Sequence, residues 1–337
     1  MGKLSYLSRR VRNMSFGRMW ETAGKIHEKY GKNRLVTFLD MGVCGLKYSA
    51  GYMDYYVCEF CKLSGAQRAT YITRGVNNAY VQRLNSQECW DTFNNKVEFA
   101  RTFGPYMGRG LLYLPDTDKT GFAEFLRGKD KLVVKPIDAT CGVGFALLTG
   151  EDLKDPDALY DRLMASGQTL AEEFIVQHPE MSRLYPDSVN TLRIVTITVN
   201  NHPRIVFSSL RVGNGKQVDN LNAGGLALVL DRETGLITKP AVDKENRVFT
   251  AHPITGTNFI GFTPPFYQEA VALVKRAALV EPRMGYVGWD VAITERGPIL
   301  IEANQFPGHD IYQFQPHLEA DRCGLRPVFD KALRDED

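Results

Sequence analysis

The chain has 337 residues, 44% hydrophobic and 24% charged, with a formal net charge of +2. These proportions describe a globular protein large enough for two or three sub-domains, and they exclude a disordered or collagen-like chain. No apolar run reaches the roughly 18 residues that a membrane-spanning helix needs, no secretory h-region follows the basic start, and six cysteines scattered through a long chain fit a reducing compartment, so a cytoplasmic setting is expected.

The charge is uneven. Residues 1–34 hold nine Lys or Arg against Glu21 and Glu28. Leu4, Leu7, Val11 and Met14 recur at helical spacing beside Arg9, Arg10 and Arg12, which predicts a basic amphipathic helix. Such a helix suits peripheral contact with an anionic membrane or an acidic partner, or packs on its own domain with a solvated basic face. No nucleic-acid-binding motif follows it, so no nucleic-acid partner is expected. Up to about residue 90 the pattern is mostly helical, interrupted by the glycine-rich Met41–Gly51. Cys58 and Cys61 have C-x-x-C spacing, but no second pair follows, so core thiols are expected rather than a zinc site. Trp90–Phe103 places Phe93, Val97, Ala100 and Phe103 on one helical face and leaves Lys96 off that stripe.

Lys131–Pro136 reads as a short apolar strand carrying Lys135. A loop with Gly142, Val143 and Gly144 follows, then a returning strand, Phe145–Leu148. Such a flap brings backbone N–H groups close to phosphate oxygens, with Lys135 as point charge, unless it is a plain hairpin turn. Thr169–Gln177 is a further strand with paired acids. Glu172 or Glu173 can accept from an exocyclic amine while the backbone of Phe174 and Ile175 meets a heterocycle's edge, and Glu180 can hold a ribose hydroxyl. A salt-bridged strand end is the alternative.

Strands Thr191–Val199 and Arg204–Val212 carry Arg193 and Arg211, which can clamp an anion or simply pair along the sheet. Val218–Gly225 offers Asn220 and Asn222 with a glycine pair, ahead of strand Leu226–Leu230 and helix Pro265–Val280. Next come two β-type runs, Trp289–Thr294 and Pro298–Ala303, about the turn Glu295-Arg296-Gly297, predicting a hairpin. Folded at Arg296, it sets Asp290 opposite Glu302. Val291, Ile293, Ile299 and Ile301 then share one face, and Asp290, Glu302 and Asn304 the other. Two carboxylates about 5 Å apart across a ladder repel unless a cation lies between them. An all-oxygen donor set suits Mg²⁺ or Mn²⁺. The alternative is an exposed face whose acids point into water.

In this order the motifs resemble the ATP-grasp superfamily, most closely the sugar-transfer-associated branch found beside bacterial exopolysaccharide genes, with ribosomal-protein glutamate ligases more distant. The resemblance runs from about Asn94 to Gly308. It is carried by Val287-Gly-Trp-Asp-Val-Ala-Ile293, Gly297-Pro-Ile-Leu-Ile-Glu-Ala-Asn304, Glu172-Glu-Phe-Ile-Val-Gln177 and Ser188-Val-Asn-Thr-Leu-Arg193. It implies an α+β fold of ATP-grasp type with a helical N-terminal region: residues 1–90, then 91–173 with the phosphate-covering flap, then 174–337 with the metal site.

By the resemblance, Lys96 and Lys135 hold nucleotide phosphates under the Gly142-Val143-Gly144 flap. Glu172 and Glu173, with Phe174 and Ile175, clamp adenine; Glu180 holds ribose; Asn222 joins the cofactor-binding residues. Asp290, Glu302 and Asn304 bind two Mg²⁺ (or Mn²⁺) ions bridging ATP. Arg193, Arg211 and Lys135 serve catalysis, the arginines facing the γ-phosphate and an acyl-phosphate, and His178 or Asp310 stands as candidate base. The implied reaction joins a small-molecule carboxylate and an amine, glycan- or peptide-linked, with release of ADP. Alternatives are a kinase acting on a hydroxyl, or a non-catalytic nucleotide-binding scaffold at a membrane.

Overall fold

A computed structural model describes residues 15–137 and 144–335. The basic amphipathic stretch Leu4–Met14 and the flap residues Gly142 and Val143 lie outside the described residues. The described chain forms two compact units, one from residues 15–83 with 308–335 and one from 84–307. The boundary expected at residue 90 thus falls at Arg83/Leu84. The segment after Pro307, expected to continue the second half, belongs instead with the N-terminal helices.

The first unit is helical. Helix Phe16–Tyr30 stops at Gly31, which takes the left-handed conformation (φ 66°) that glycine adopts without steric cost. Asn33 then starts helix Arg34–Lys47 by accepting from the Val36 N–H. The expected interruption at Met41–Gly51 begins only at Tyr48, because the helix runs through Gly42 and Gly45. Each glycine costs a helix about 1 kcal/mol, and buried Gly45 sits on the inward stripe with Thr37, Met41 and Cys44. Met19, Ala23, Ile26, Met41, Cys44, Tyr55, Phe60 and Tyr71 form the core. Cys58 is buried and Cys61 half-buried, both as free thiols. The returning segment is stitched in by Gln313, whose side-chain amide pairs with both the N–H (2.8 Å) and C=O (3.0 Å) of Ile72.

The second unit contains two antiparallel sheets. The first has strands β1 (Leu111–Tyr113), β2 (Lys131–Lys135), β3 (Ala146–Thr149) and β4 (Leu170–Glu173) in the order β1-β4-β2-β3. Its apolar face is covered by helices Lys119–Leu126 and Pro156–Ser166 through Phe122, Leu126, Leu159 and Leu163. The second has strands β5 (Thr191–Val199), β6 (His202–Val212), β7 (Leu226–Val229), β8 (Ala241–Val242), β9 (Val248–Phe249), β10 (Tyr286–Thr294) and β11 (Gly297–Asn304), in the order β11-β10-β5-β6-β7-β8-β9.

The expected helix Trp90–Phe103 is two helices, Trp90–Asn94 and Lys96–Met107. Asn95 turns its side chain back onto the Val97 and Glu98 N–H groups and starts the second. Phe93 and Phe103 pack on the buried indole of Trp289, with Phe99 stacked on Phe103, and the indole N–H donates to Thr196 Oγ1 at 2.9 Å. Strand β4 was expected to reach Gln177 but ends at Glu173. In the closing hairpin Asp290 does pair with Glu302, yet the register shifts at the next step, so that Val291 faces Leu300. Leu300, rather than Ile299 and Ile301, therefore joins Val291 and Ile293 in the core. This bulge leaves one extra residue on β11 and preserves the polar set on the other face.

Candidate functional site

Asp290 is 1% exposed and surrounded by guanidinium groups. Arg193, its ladder partner on β5, binds it bidentately, Nε to Oδ1 and Nη2 to Oδ2 at 2.9 Å. Arg211, delivered by β6, donates from Nη2 to Oδ2, also at 2.9 Å. Burial alone would raise the Asp290 pKa, but the two arginines outweigh it and hold the carboxyl below its ordinary value. Arg211 is fixed from the far side by Thr191 Oγ1 (2.7 Å) and by Asp219 Oδ2 (3.4 Å). Asp219 accepts from both the backbone N–H and the hydroxyl of Thr191. Its pKa is raised, because burial exceeds the pull of Arg211.

Glu302 opposes Asp290 across the ladder and is exposed. Its pKa is raised above 4.5, first by the protein enclosing it and then by the charge of Asp290. The charge of Lys135, on the other sheet, acts on it in the opposite sense. Asn304 extends the row two residues on, and its Nδ2 is buried without a hydrogen-bond partner.

On the first sheet Lys135 Nζ meets Glu172 Oε1 at 2.8 Å, and Arg109 Nη2 meets Oε2 at 3.5 Å. Burial would raise the Glu172 pKa, but Lys135 and Arg109 bring it down. Glu173 accepts from the Gly110 N–H at 2.7 Å and pairs with Lys129 at 3.1 Å. Both carboxylates are therefore committed within the protein. Among the described residues no hydrogen bond engages the backbone of Phe174 or Ile175, which line a cleft of about 480 Å³ with Arg109, Thr294 and Ile299.

Lys96 lies at the first turn of its helix and donates to the Ile137 carbonyl at 2.7 Å, beside the loop that follows Lys135. Gly144, at φ 72°, is held by Gln168 Nε2 donating to its carbonyl at 2.9 Å. The remaining candidates stand apart. Glu180 pairs with Arg183 at 2.7 Å on the exterior, and Asn222 is exposed in a short 3₁₀ turn. His178 caps helix Pro179–Leu184 by accepting from the Glu180 N–H.

The sequence profile described as sugar-transfer associated ATP-grasp matches residues 75–320. The chain belongs to this family. No curated protein matches the chain. Among solved structures, an ATP-grasp chain similar to this one is D-alanyl-alanine synthetase A from Vibrio cholerae O1 biovar eltor (12% identity, 74% of this chain and 67% of that one, TM-score 0.44). N5-carboxyaminoimidazole ribonucleotide synthetase in its ADP complex (13%, 80% and 60%, 0.45) and the ATP-grasp ligase PsnB with its precursor peptide (14%, 77% and 65%, 0.41) are also similar. The chain spans between 60% and 67% of these relatives' lengths.

Within the ATP-grasp unit, sequence reasoning missed Arg109 and Asp219. Arg109 is 4% exposed, and its guanidinium also binds the Leu300 and Ile301 carbonyls on either side of the β11 bulge. Its only local signal is a charged residue between Gly108 and Gly110. Asp219 lies within the Val218–Gly225 stretch already singled out for Asn220 and Asn222, and an acid ahead of a glycine pair that follows two arginine-bearing strands was the available sign.

The oxygen donors fit a hard divalent cation. Glu302 is open and carries a raised pKa that a cation would relieve, and the orphaned Asn304 amide belongs to a side chain whose carbonyl oxygen suits such an ion. Asp290 already accepts three arginine hydrogen bonds. Among the described residues no three His, Cys, Asp or Glu side chains converge on a metal position, so the set consists of two carboxylates and one amide.

Proposed function

We propose that this ATP-grasp protein is an ATP- and Mg²⁺-dependent carboxylate–amine ligase. The observation that carries the reading is the Asp290–Glu302 ladder pair flanked by Arg193 and Arg211. It is a cleft built to organise charge, as phosphoryl transfer demands. Adenine lies on the Phe174–Ile175 backbone, and Lys96 and Lys135 hold the phosphates. Glu302 and Asn304, with a remaining lone pair of Asp290, would hold a divalent cation, which would supply charge neutralisation for the phosphates.

A substrate carboxylate oxygen attacks the γ-phosphorus and the bond to the ADP oxygen breaks. The amine nitrogen then attacks the acyl carbon, the bond to the phosphate oxygen breaks, and the proton lost by the amine passes to solvent as phosphate leaves. Arg193 and Arg211 stabilise the charge that develops on the transferred phosphoryl group, and Asp290 holds them in place. The carboxylate or the amine belongs to a glycan, peptide or small metabolite.

The test is ADP release from ATP and Mg²⁺ with pooled carboxylates and amines. Turnover that requires one of each and disappears in Glu302→Ala is expected. Turnover with a hydroxyl compound alone would replace the ligase reading by a kinase.

A further inference from the structure

Helix Arg34–Lys47 is apolar on both sides. Thr37, Met41, Cys44 and Gly45 face the core of the helical unit. On the opposite side Leu35, Val36, Leu39, Val43 and Leu46 form a continuous outward stripe, with Leu39 60% and Val43 55% exposed. Helices apolar all round are normally buried or in contact with lipid. The stripe is extended by Trp20 and Phe16 of the preceding helix, 42% and 52% exposed, whose rings pack against Phe38, and by Met53, 52% exposed.

The rim decides what covers this face. Asp40 is the only acid on the helix, and it is turned inward onto Arg68 at 2.8 Å. The ends of the stripe carry Lys32 and Arg34 on one side and Lys47 on the other, Arg34 lying 4.3 Å over the Trp20 ring. The fourteen residues leading into this helix pair add Lys3, Arg9, Arg10 and Arg12 and no acid. Pairing with a second copy places basic ends against basic ends, whether the helices run parallel or antiparallel.

We propose that this face docks on an anionic lipid bilayer. Leu35, Leu39, Val43 and Leu46 enter the headgroup boundary, Trp20 sits at interfacial depth, and Lys32, Arg34 and Lys47 meet lipid phosphates. The protein then lies on the membrane without spanning it.

The experiment is co-sedimentation of the full chain with phosphatidylcholine vesicles, with and without phosphatidylglycerol, at low and high salt. Binding only to the anionic vesicles is expected, together with a blue shift of tryptophan fluorescence that is lost in Trp20→Phe. Leu39→Glu with Val43→Glu should lower partitioning roughly tenfold or more. Lys32→Glu with Lys47→Glu, which alters no apolar contact, should lower it by about fivefold per lysine. Equal binding to both vesicle types would overturn the proposal. So would binding unchanged in Leu39→Glu/Val43→Glu, which would assign it to residues 1–14 alone. A lipid-free dimer abolished by that same variant would overturn it in favour of a second copy.

Discussion

Asp290 and Glu302 are ladder partners of one chemical type whose pKa values are pushed in opposite directions. Asp290 is buried and neutralises two arginines, so Asp290→Ala strands their charges in the sheet. A loss of about 3–5 kcal/mol is expected in denaturant unfolding, together with loss of ADP release. Glu302→Gln removes a repulsion instead and should keep or raise the melting temperature at neutral pH while still abolishing turnover. The folded-state pKa of Glu302 is raised, so its contribution to stability is present below 4.5 and is lost as pH rises through the raised value. Asp290 behaves conversely: its folded pKa is lowered, so its contribution stands above 3.8 and is lost as pH falls through the lowered value. The difference in melting temperature between Glu302→Gln and the unaltered protein should therefore widen as pH climbs above 4.5. A difference independent of pH would mean that Asp290 and Glu302 do not repel. Mg²⁺ with ADP at about a hundred times its dissociation constant should stabilise the unaltered protein by about 2.7 kcal/mol. EDTA should reverse that gain, and Glu302→Gln should lack it.

At the scale of elements, the β11 bulge keeps Glu302 and Asn304 in the cleft while Leu300 returns to the core. Arg109 holds both sides of that bulge and also reaches Glu172 on the other sheet. Arg109→Met is expected to cost about 2–4 kcal/mol and to speed amide exchange across Pro298–Asn304. Unchanged exchange would show that the hairpin sets the bulge by itself. Asn190 plays a similar part for the loop after β6. Its Nδ2 donates to the Met181 and Tyr185 carbonyls and its Oδ1 accepts from the Gly213 N–H. Asn190→Ala should therefore lower stability by about 1–3 kcal/mol, read as a shifted denaturant midpoint.

The hairpin was legible from two alternating runs about a turn, but its loop is only Glu295-Arg296, with Gly297 paired to Thr294, and Asp290 meets Glu302 because the bulge makes up the missing residue. The bulge was not, since an extra residue among Ile299, Leu300 and Ile301 changes nothing in an apolar run. Arg109 was illegible for another reason: its partners lie some 60 and 190 residues away along the chain. Glu172 and Glu173 look open in the sequence because nothing local announces that Lys135, Arg109 and Lys129 will claim them.

At the scale of the molecule, the ATP-grasp unit is inserted in sequence between the two parts of the helical unit. Gln313 closes the backbone of Ile72, Tyr80 donates to Asp330 at 2.8 Å, and the Gly324 N–H donates to Thr70 Oγ1 at 2.7 Å. A chain ending at Pro307 should keep protease-resistant sheets while losing protection in the helices of residues 16–83. Full protection of those helices would show that they fold without the returning segment.

That inserted arrangement also sets an order of events during translation. Residues 84–307 leave the ribosome complete while residues 15–83 still lack Gln313, Gly324 and Asp330, so the nucleotide-binding part can fold first. The helices must wait for the returning segment before their core can close. A newly made chain therefore passes through a stage in which that core, along with the outward stripe, is open to chaperones.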